Sequence, residues 1–255
     1  MKKLICLFFV LGIAISTFTQ EEMPMNYIFG KVSEDTEMKM QEGSKYIINF
    51  YESINFPIEI SNINLRVFSS FDDYKSHQKV NSNTRSNNGY FSISKQEIVL
   101  FNNERIIRTF YHEFNHYLLR AHYKNPPKWI NEGLSEYFEY MSDTEPISIL
   151  PQKKKVARIK SWIDDEIQND IEQVLTASNE QWAKQNIKPQ YRSSTISYAI
   201  VFFLMSVEGG DQIIGKIIDE LMNDKQPQDV LNTSYPGNFA KFIKDFIKFY
   251  KQYNC

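Results

Sequence analysis

Residues 112–116 read HEFNH, and the apolar spacing around them predicts a helix over residues 103–123. Two histidines four residues apart project from one face of a helix, because four residues are about one turn plus 40°. So placed, the imidazoles of His112 and His116 can hold Zn²⁺, and Glu113 can take a proton from water at the metal. The stretch predicts a hydrolytic zinc site. The alternative is a pair of partly exposed histidines on an amphipathic helix.

A second helix is predicted over residues 129–138, which read WINEGLSEYF. It follows Pro126-Pro127, and Pro127 suits its first turn. Glu132 and Glu136 are again four residues apart, so their carboxylates share one face. A catalytic zinc site needs a third protein ligand, and its histidines need acceptors for their other ring N–H groups. The helix offers one carboxylate for each role.

Together, the two helices resemble those of the gluzincin metallopeptidases, the thermolysin-like group, and in particular the small exported peptidase MA-like proteins. In that family an asparagine-glutamate pair on the second helix follows the two histidines, and Asn131-Glu132 matches that pair. The resemblance covers residues 98–140. It implies that Glu132 is the third zinc ligand beside the two histidines. It also implies that Glu136, four positions later, orients one of the histidines.

The same resemblance implies hydrolysis of peptide bonds. Zinc lowers the pKa of its water toward about 7, and Glu113 takes the proton and passes it to the leaving amine. Gluzincins stabilise the oxyanion with a tyrosine or histidine from the C-terminal lobe. Tyr198, in the expected region, is the candidate for this role, with Tyr191 and Arg192 in reserve. The other interpretation of Tyr198 is a packed aromatic without a catalytic role.

A competing ligand set would use a third histidine, as in the metzincins. His122 lies six residues after His116, which is the spacing of that family. Metzincins need a glycine between these histidines, because the helix must break sharply for the third ring to reach the metal. This chain has Leu119 instead. In a continuous helix His122 would lie about 120° around the axis from His116, away from the metal.

Composition limits the classes of protein and partner. With 255 residues, 42% of them hydrophobic and 24% charged, the chain can bury one large core or two modest lobes. A formal net charge of -2 gives no strong field of either sign. It therefore supports neither a nucleic-acid partner nor a polybasic contact with a membrane.

Residues 1–20 are predicted to be a signal peptide. A basic start precedes an apolar run, residues 4–15, that is too short to span a bilayer comfortably. Cleavage before Thr17 and cleavage before Gln20 both fit the small residues that follow, and an uncleaved anchor is the alternative. We expect a periplasmic or extracellular protein without stable membrane contact after cleavage.

The segments before the histidines predict a small sheet packed with helices. Apolar spacing predicts a helix over residues 35–54, and a weak alternation predicts a strand over residues 65–71. Asp72 is a plausible N-cap for a short helix that carries His77 on the surface. Residues 90–101 predict a β-hairpin. Its edge could bind an extended peptide through main-chain hydrogen bonds, or could be a sheet edge without a ligand.

After the glutamate helix the chain is predicted to be helical, with strong apolar segments at residues 196–207, 213–222 and 239–250. The expected fold is α+β. Residues 21–142 would form a mixed lobe that holds the small sheet and the histidine helix. Residues 143–255 would form a helical lobe, with the zinc in the cleft between the two lobes.

Two functions of different classes follow from the sequence. The first is an exported zinc endopeptidase or aminopeptidase that acts on peptides or proteins. The second is an inactive relative that keeps the fold and binds a cell-surface or glycan partner. Loss of a ligand or of Glu113 would favour the second function, and the chain has lost none of them.

Overall fold

The structure is a computed structural model that describes residues 23–58, 62–142, 146–163, 166–187 and 190–253. The predicted signal peptide, residues 1–20, lies outside the described residues. Within them, no helix combines the length and the apolar character needed to cross a bilayer.

The described strands form one mixed sheet. They are β1 (Met25–Phe29), β2 (Ile63–Phe68), β3 (Gly89–Ser92) and β4 (Glu97–Phe101). The order in the sheet is β1-β2-β4-β3, with β1 and β4 parallel to β2 and with β3 antiparallel to β4. The β3–β4 pair confirms the predicted hairpin and leaves β3 at an edge of the sheet. The sequence did not predict β1.

Helices make up most of the rest of the described chain. They are α1 (Glu34–Ser53), α2 (Phe71–Asn81), α3 (Ile106–His122), α4 (Lys128–Phe138), α5 (Lys153–Trp162), α6 (Ile167–Thr176), α7 (Asn179–Gln185), α8 (Arg192–Met205), α9 (Gly210–Met222), α10 (Pro227–Ser234) and α11 (Asn238–Gln252). The α+β class is confirmed, because the sheet lies in the N-terminal part and the C-terminal part is helical.

One prediction about α2 is wrong. Its N-cap is Ser70 rather than Asp72, because Ser70 has an extended backbone and its Oγ accepts a hydrogen bond from the Asp73 N–H. His77 is partly exposed at the surface, but it is not free of contacts. Its Nδ1 lies 3.0 Å from the hydroxyl oxygen of Tyr90, and its ring packs against Phe68.

Helix α3 is held between the sheet and two other helices. It packs against β3 and β4 on one side and against α1 and α4 on the other. Of the apolar residues whose spacing predicted this helix, Ile106, Phe110, Phe114 and Leu118 are buried, and Ile107 is half-buried. A helix fixed on several sides presents its remaining strip, which carries the two histidines, in a defined direction.

The N-terminal and C-terminal parts share one hydrophobic core. One close junction within this core joins α4 to α8 at Gly133. A Cβ atom on Gly133 would lie 2.7 Å from the backbone oxygen of Ser197 and 2.8 Å from Cγ2 of Val201. The two helices can therefore approach this closely only with glycine at this position. The same helix carries Glu132, so this junction also fixes the glutamate.

Replacing Gly133 by alanine is expected to destabilise the protein by about 1–3 kcal/mol through overpacking. The gain in helix propensity, about 1 kcal/mol, does not offset a clash with the backbone of α8. Thermal unfolding followed by circular dichroism would measure the effect. Met38→Ala, at a position 55% exposed on α1, is the control and should leave the midpoint nearly unchanged. An unchanged midpoint for Gly133→Ala would contradict the close packing.

Candidate metal centre

Helices α3 and α4 bring the three predicted ligands together. The Oε2 atom of Glu132 lies 3.7 Å from Nε2 of His112 and 3.9 Å from Nε2 of His116. One donor atom from each residue falls within 4.8 Å of the others. The side chains of His112 and Glu132 are each 17% exposed, and that of His116 is 11% exposed. Among the described residues, His112, His116 and Glu132 form a compact group that could hold one metal ion, and we call these three residues the metal group.

Hydrogen bonds fix the orientation of His116. Its Nδ1 lies 3.0 Å from Oδ1 of Asn131 and 3.1 Å from Oγ of Ser135. The Ser135 hydroxyl donates to the backbone oxygen of Asn131, so the hydroxyl oxygen is left as an acceptor. Both neighbours of Nδ1 are then acceptors, and the proton of the neutral ring belongs on Nδ1. Nε2 therefore turns an unprotonated lone pair toward Glu132.

A buried polar network supports Ser135 from behind. Nδ2 of Asn115, the middle residue of the motif, donates to Oγ of Ser135 at 2.9 Å. Oδ1 of Asn115 accepts a hydrogen bond from the hydroxyl of Tyr51 at 2.7 Å. Both Asn115 and Ser135 are fully buried. Because every member is paired, the network ties α1, α3 and α4 together directly behind the His116 ring.

A carboxylate that the sequence analysis did not predict orients His112. Oε2 of Glu139 lies 3.3 Å from Nδ1 of His112, and Oε1 of Glu139 pairs with Nη2 of Arg105 at 2.9 Å. The carboxylate lies at ion-pair distance from Nδ1, on the side of the ring opposite Nε2, which faces Glu132. This carboxylate–histidine contact is the arrangement that supports metal-ligating histidines in proteins.

Glu136 does not perform the role that the sequence assigned to it. Its Oε1 pairs with Nζ of Lys155 at 2.7 Å, and its Oε2 accepts from Nε2 of Gln152 at 3.1 Å. Lys155, on α5, is only 11% exposed at its side chain and neutralises the carboxylate. Glu136 therefore joins α4 to the following helix, and Glu139 is the acidic residue beside a histidine.

Replacing Glu139 by glutamine is expected to weaken zinc binding by about 10- to 100-fold, because His112 loses its charged acceptor. Glu136→Gln is the matched control, since it removes a carboxylate from the same face of α4. It should leave the zinc affinity unchanged while lowering the melting temperature, because Lys155 loses its partner. Competition with a zinc-binding dye would measure the affinities. An equal loss of affinity in both variants would contradict the separation of roles.

Glu113 lies beside the metal group and is held by the edge strand. Its Oε2 accepts a hydrogen bond of 2.8 Å from the backbone N–H of Phe91 on β3. Burial raises the pKa of Glu113 to about 7, although the neighbouring His112 opposes this rise. A carboxyl group with a pKa near neutrality is suited to accept and release a proton. The Phe91 N–H belongs to β3, the edge strand that was predicted to bind an extended peptide. Because it already donates to Glu113, this N–H is not available to a peptide.

Charge is distributed unequally over the three candidate ligands. Burial lowers the pKa of His116 to about 3, so the imidazole of His116 is neutral. Burial also opposes protonation of His112, but the carboxylates of Glu139, Glu113 and Glu132 outweigh burial and raise its pKa to about 10. Burial raises the pKa of Glu132, whereas His116, Lys128 and His112 lower it, with a net value of about 2.

The predicted oxyanion donor lies away from the metal group. Tyr198 is fully buried in α8, and its hydroxyl oxygen accepts a hydrogen bond from the Gln152 backbone N–H at 2.9 Å. Of the two reserves, Arg192 pairs with Asp170, and Tyr191 is the residue before α8. None of the three is among the residues that line the cleft. The structure therefore favours the interpretation of Tyr198 as a packed aromatic.

The third-histidine alternative is wrong. Helix α3 continues without a break through Leu119 to His122. The His122 ring packs edge-on against Phe56, with ring centroids 5.9 Å apart. It therefore takes no part in the group formed by His112 and His116.

The metal group opens into a cleft of about 310 Å³. The lining comprises Thr84, Ser86, Gly89, Tyr90, Phe91, Ile93, His112, Glu113, His116, Arg120, Lys128, Asn131 and Glu132. All of these residues fall between positions 84 and 132, so the described walls are the loop before β3, β3 with the start of the turn that follows it, α3 and α4. The predicted cleft between an N-terminal and a C-terminal lobe is not where this group lies.

The donor set fits zinc. Two imidazole nitrogens and one carboxylate oxygen are the protein ligands of one class of catalytic zinc site. Donor atoms that each lie ~2 Å from one ion can be at most about 4 Å apart. Both carboxylate–imidazole distances meet this limit, and because the three donor atoms as a set lie within 4.8 Å of one another, the side chains would close slightly around an ion. Glu139 and Asn131 supply the acceptors that the outer ring nitrogens of such histidines need.

The chain matches no model of a known protein family, and it matches no curated protein.

Proposed function

We propose that this protein is an exported zinc metallopeptidase of gluzincin type, which hydrolyses peptide bonds in the cleft between β3, α3 and α4. The observation that carries the proposal is the convergence of His112, His116 and Glu132 on one point of this cleft, with Glu113 beside them. The Asn131-Glu132 pair on α4 supports the gluzincin assignment. The predicted signal peptide supports the export.

The roles of the side chains follow from their positions. His112 and His116, through Nε2, and Glu132, through Oε2, would hold the ion. A bound zinc ion would act as a Lewis acid, polarising the carbonyl of the peptide bond and making a coordinated water more acidic. Glu113 is held through Oε2 by the Phe91 N–H, so its Oε1 is the atom that accepts the proton from water and delivers it to the leaving amine.

Burial keeps this proton transfer inside the cleft. Glu113 is only 8% exposed, and its raised pKa places the carboxyl group close to the acidity that such a transfer needs at neutral pH. Asn131, Ser135 and Glu139 keep the two imidazoles in place, so little reorganisation is required when the metal binds. Tyr198 has no part in this mechanism, because its hydroxyl bonds to the Gln152 N–H outside the cleft.

Metal analysis combined with peptide digestion tests the proposal. After the purified protein is loaded with zinc and dialysed, metal analysis by mass spectrometry should find one zinc ion per chain. It should cleave a peptide pool of mixed sequence, a chelator should stop the cleavage, and added zinc should restore it. A protein that binds no zinc would contradict the metal site. A protein that binds zinc without cleaving any peptide would contradict the peptidase assignment and favour the inactive, partner-binding alternative.

A further inference from the structure

Two cations line the same cleft beside the metal group. Arg120 lies on α3 one turn beyond His116, and Lys128 lies on α4 one turn before Glu132. Because the spacing on each helix is four residues, both cations share a face with the ligands. The cationic pair, Arg120 and Lys128, therefore sits at one end of the metal group rather than around it.

The cleft gains net positive charge when a divalent ion enters. Apart from its histidines, the lining carries two carboxylates, Glu113 and Glu132, and two cations, Arg120 and Lys128, so the charges of these four residues balance. A zinc ion held by two neutral imidazoles adds two positive charges that these residues leave unbalanced. Glu139, outside the lining, is already paired with Arg105. The metal-loaded cleft thus favours an anionic ligand.

Arg120 has donors to spare for such a ligand. Among the described residues its guanidinium makes one hydrogen bond, from Nη1 to the backbone oxygen of Lys124 at 3.3 Å, and no ion pair. A guanidinium carries five N–H donors in a planar fork that matches a carboxylate. Lys128 is committed to Oε1 of Glu132 at 3.0 Å, so Arg120 is the principal contact and Lys128 adds charge.

We propose that the cationic pair is a carboxylate-binding subsite that selects peptides with a carboxylate close to the cleaved bond. The carboxylate can be the C-terminal α-carboxylate or the side chain of an aspartate or glutamate. Arg120 is the residue that determines this specificity. This inference rests on the proposed function, because it concerns the substrate of the same site.

Paired peptide pools separate the two sources of carboxylate. One pool of mixed sequence carries a free C-terminus, a second carries a C-terminal amide, and each is made with and without acidic residues. The zinc-loaded protein should cleave its preferred pool about 10- to 100-fold faster than the uncharged counterpart, the range for a charge-assisted contact. Preference for free termini identifies the α-carboxylate. Preference for acidic residues regardless of amidation identifies the side chain.

Arg120→Gln should abolish this preference by lowering the rate for the carboxylate-bearing pool far more than the rate for the uncharged pool. Arg108→Gln is the matched control. It lies on the same helix, α3, but points elsewhere, with its guanidinium 4.7 Å from the ring centroid of Tyr140 rather than in the cleft lining. The control should keep the preference. A merely structural role of Arg120 would lower the rates for all pools equally, and that result would contradict the subsite.

A binding experiment keeps the inference independent of catalysis. The same pools are equilibrated with zinc-loaded protein carrying Glu113→Gln, and the peptides retained by ultrafiltration are identified by mass spectrometry. Carboxylate-bearing peptides should be retained about 10-fold or more over uncharged ones, and the added Arg120→Gln change should remove the enrichment. Equal retention of all pools overturns the subsite. Enrichment without cleavage by the unmodified protein overturns the peptidase proposal alone.

Discussion

Replacing Glu113 by glutamine is expected to lower peptide hydrolysis by about 10²- to 10⁴-fold, the range for loss of a general base. Glutamine has nearly the same shape, and its side-chain oxygen can still accept the hydrogen bond from the Phe91 N–H. It cannot take up the proton of water at neutral pH. The loss should therefore appear in the rate of hydrolysis and hardly in the fold.

Zinc content separates this result from a general loss of the site. Glu113 is not one of the three residues whose donor atoms converge, so the Glu113→Gln protein should still hold one zinc per chain. Glu104→Gln, at an exposed position just before α3, is the control and should keep full activity. Hydrolysis by Glu113→Gln at the unmodified rate would remove the proposed chemistry.

The helix-borne part of the site was predictable because helical spacing fixes direction locally. His112 and His116 share a face of α3 whatever the rest of the fold does, and the same holds for the glutamates on α4. Their meeting needs only that two consecutive helices pack side by side across a short loop. The structure places these side chains together, so spacing was sufficient for the histidine pair. The choice of Glu132 over Glu136 as the third candidate ligand came from the resemblance to the gluzincins.

The partner of His112 was not predictable from spacing. Glu132, Glu136 and Glu139 all fall on one side of α4, since they are separated by four and three residues. Which of the later two reaches His112 depends on how α3 and α4 cross and on Lys155, which comes from α5 and pairs with Glu136. These are long-range contacts, and no local pattern records them.

Tyr198 and β1 show two other limits of the sequence. Helix α8 is apolar over most of its surface, so its pattern marks a buried helix but does not say which residue faces a cleft. Strand β1 is short and partly exposed, so it lacks a clear alternation. It forms because Met25 pairs with Ile63, 38 positions away, and such pairing is decided by the whole sheet.

The second large effect is expected for Glu132→Gln, which should weaken zinc binding by at least about 100-fold, more than the loss of an outer acceptor. The change removes the only candidate ligand that carries a negative charge. It also leaves Lys128, now without its partner at 3.0 Å, and Arg120 facing the ion. Two imidazoles alone would then have to hold a divalent cation beside two positive charges.

Thermal unfolding with and without zinc measures this loss without any assay of hydrolysis. A ligand that binds only the folded state stabilises it by about 2.7 kcal/mol at 100 times its dissociation constant. Added zinc should therefore raise the melting temperature of the unmodified and Glu113→Gln proteins and leave that of Glu132→Gln unchanged. If zinc stabilises Glu132→Gln as much as the unmodified protein, the ion binds elsewhere. The convergence of α3 and α4 would then have no bearing on the metal.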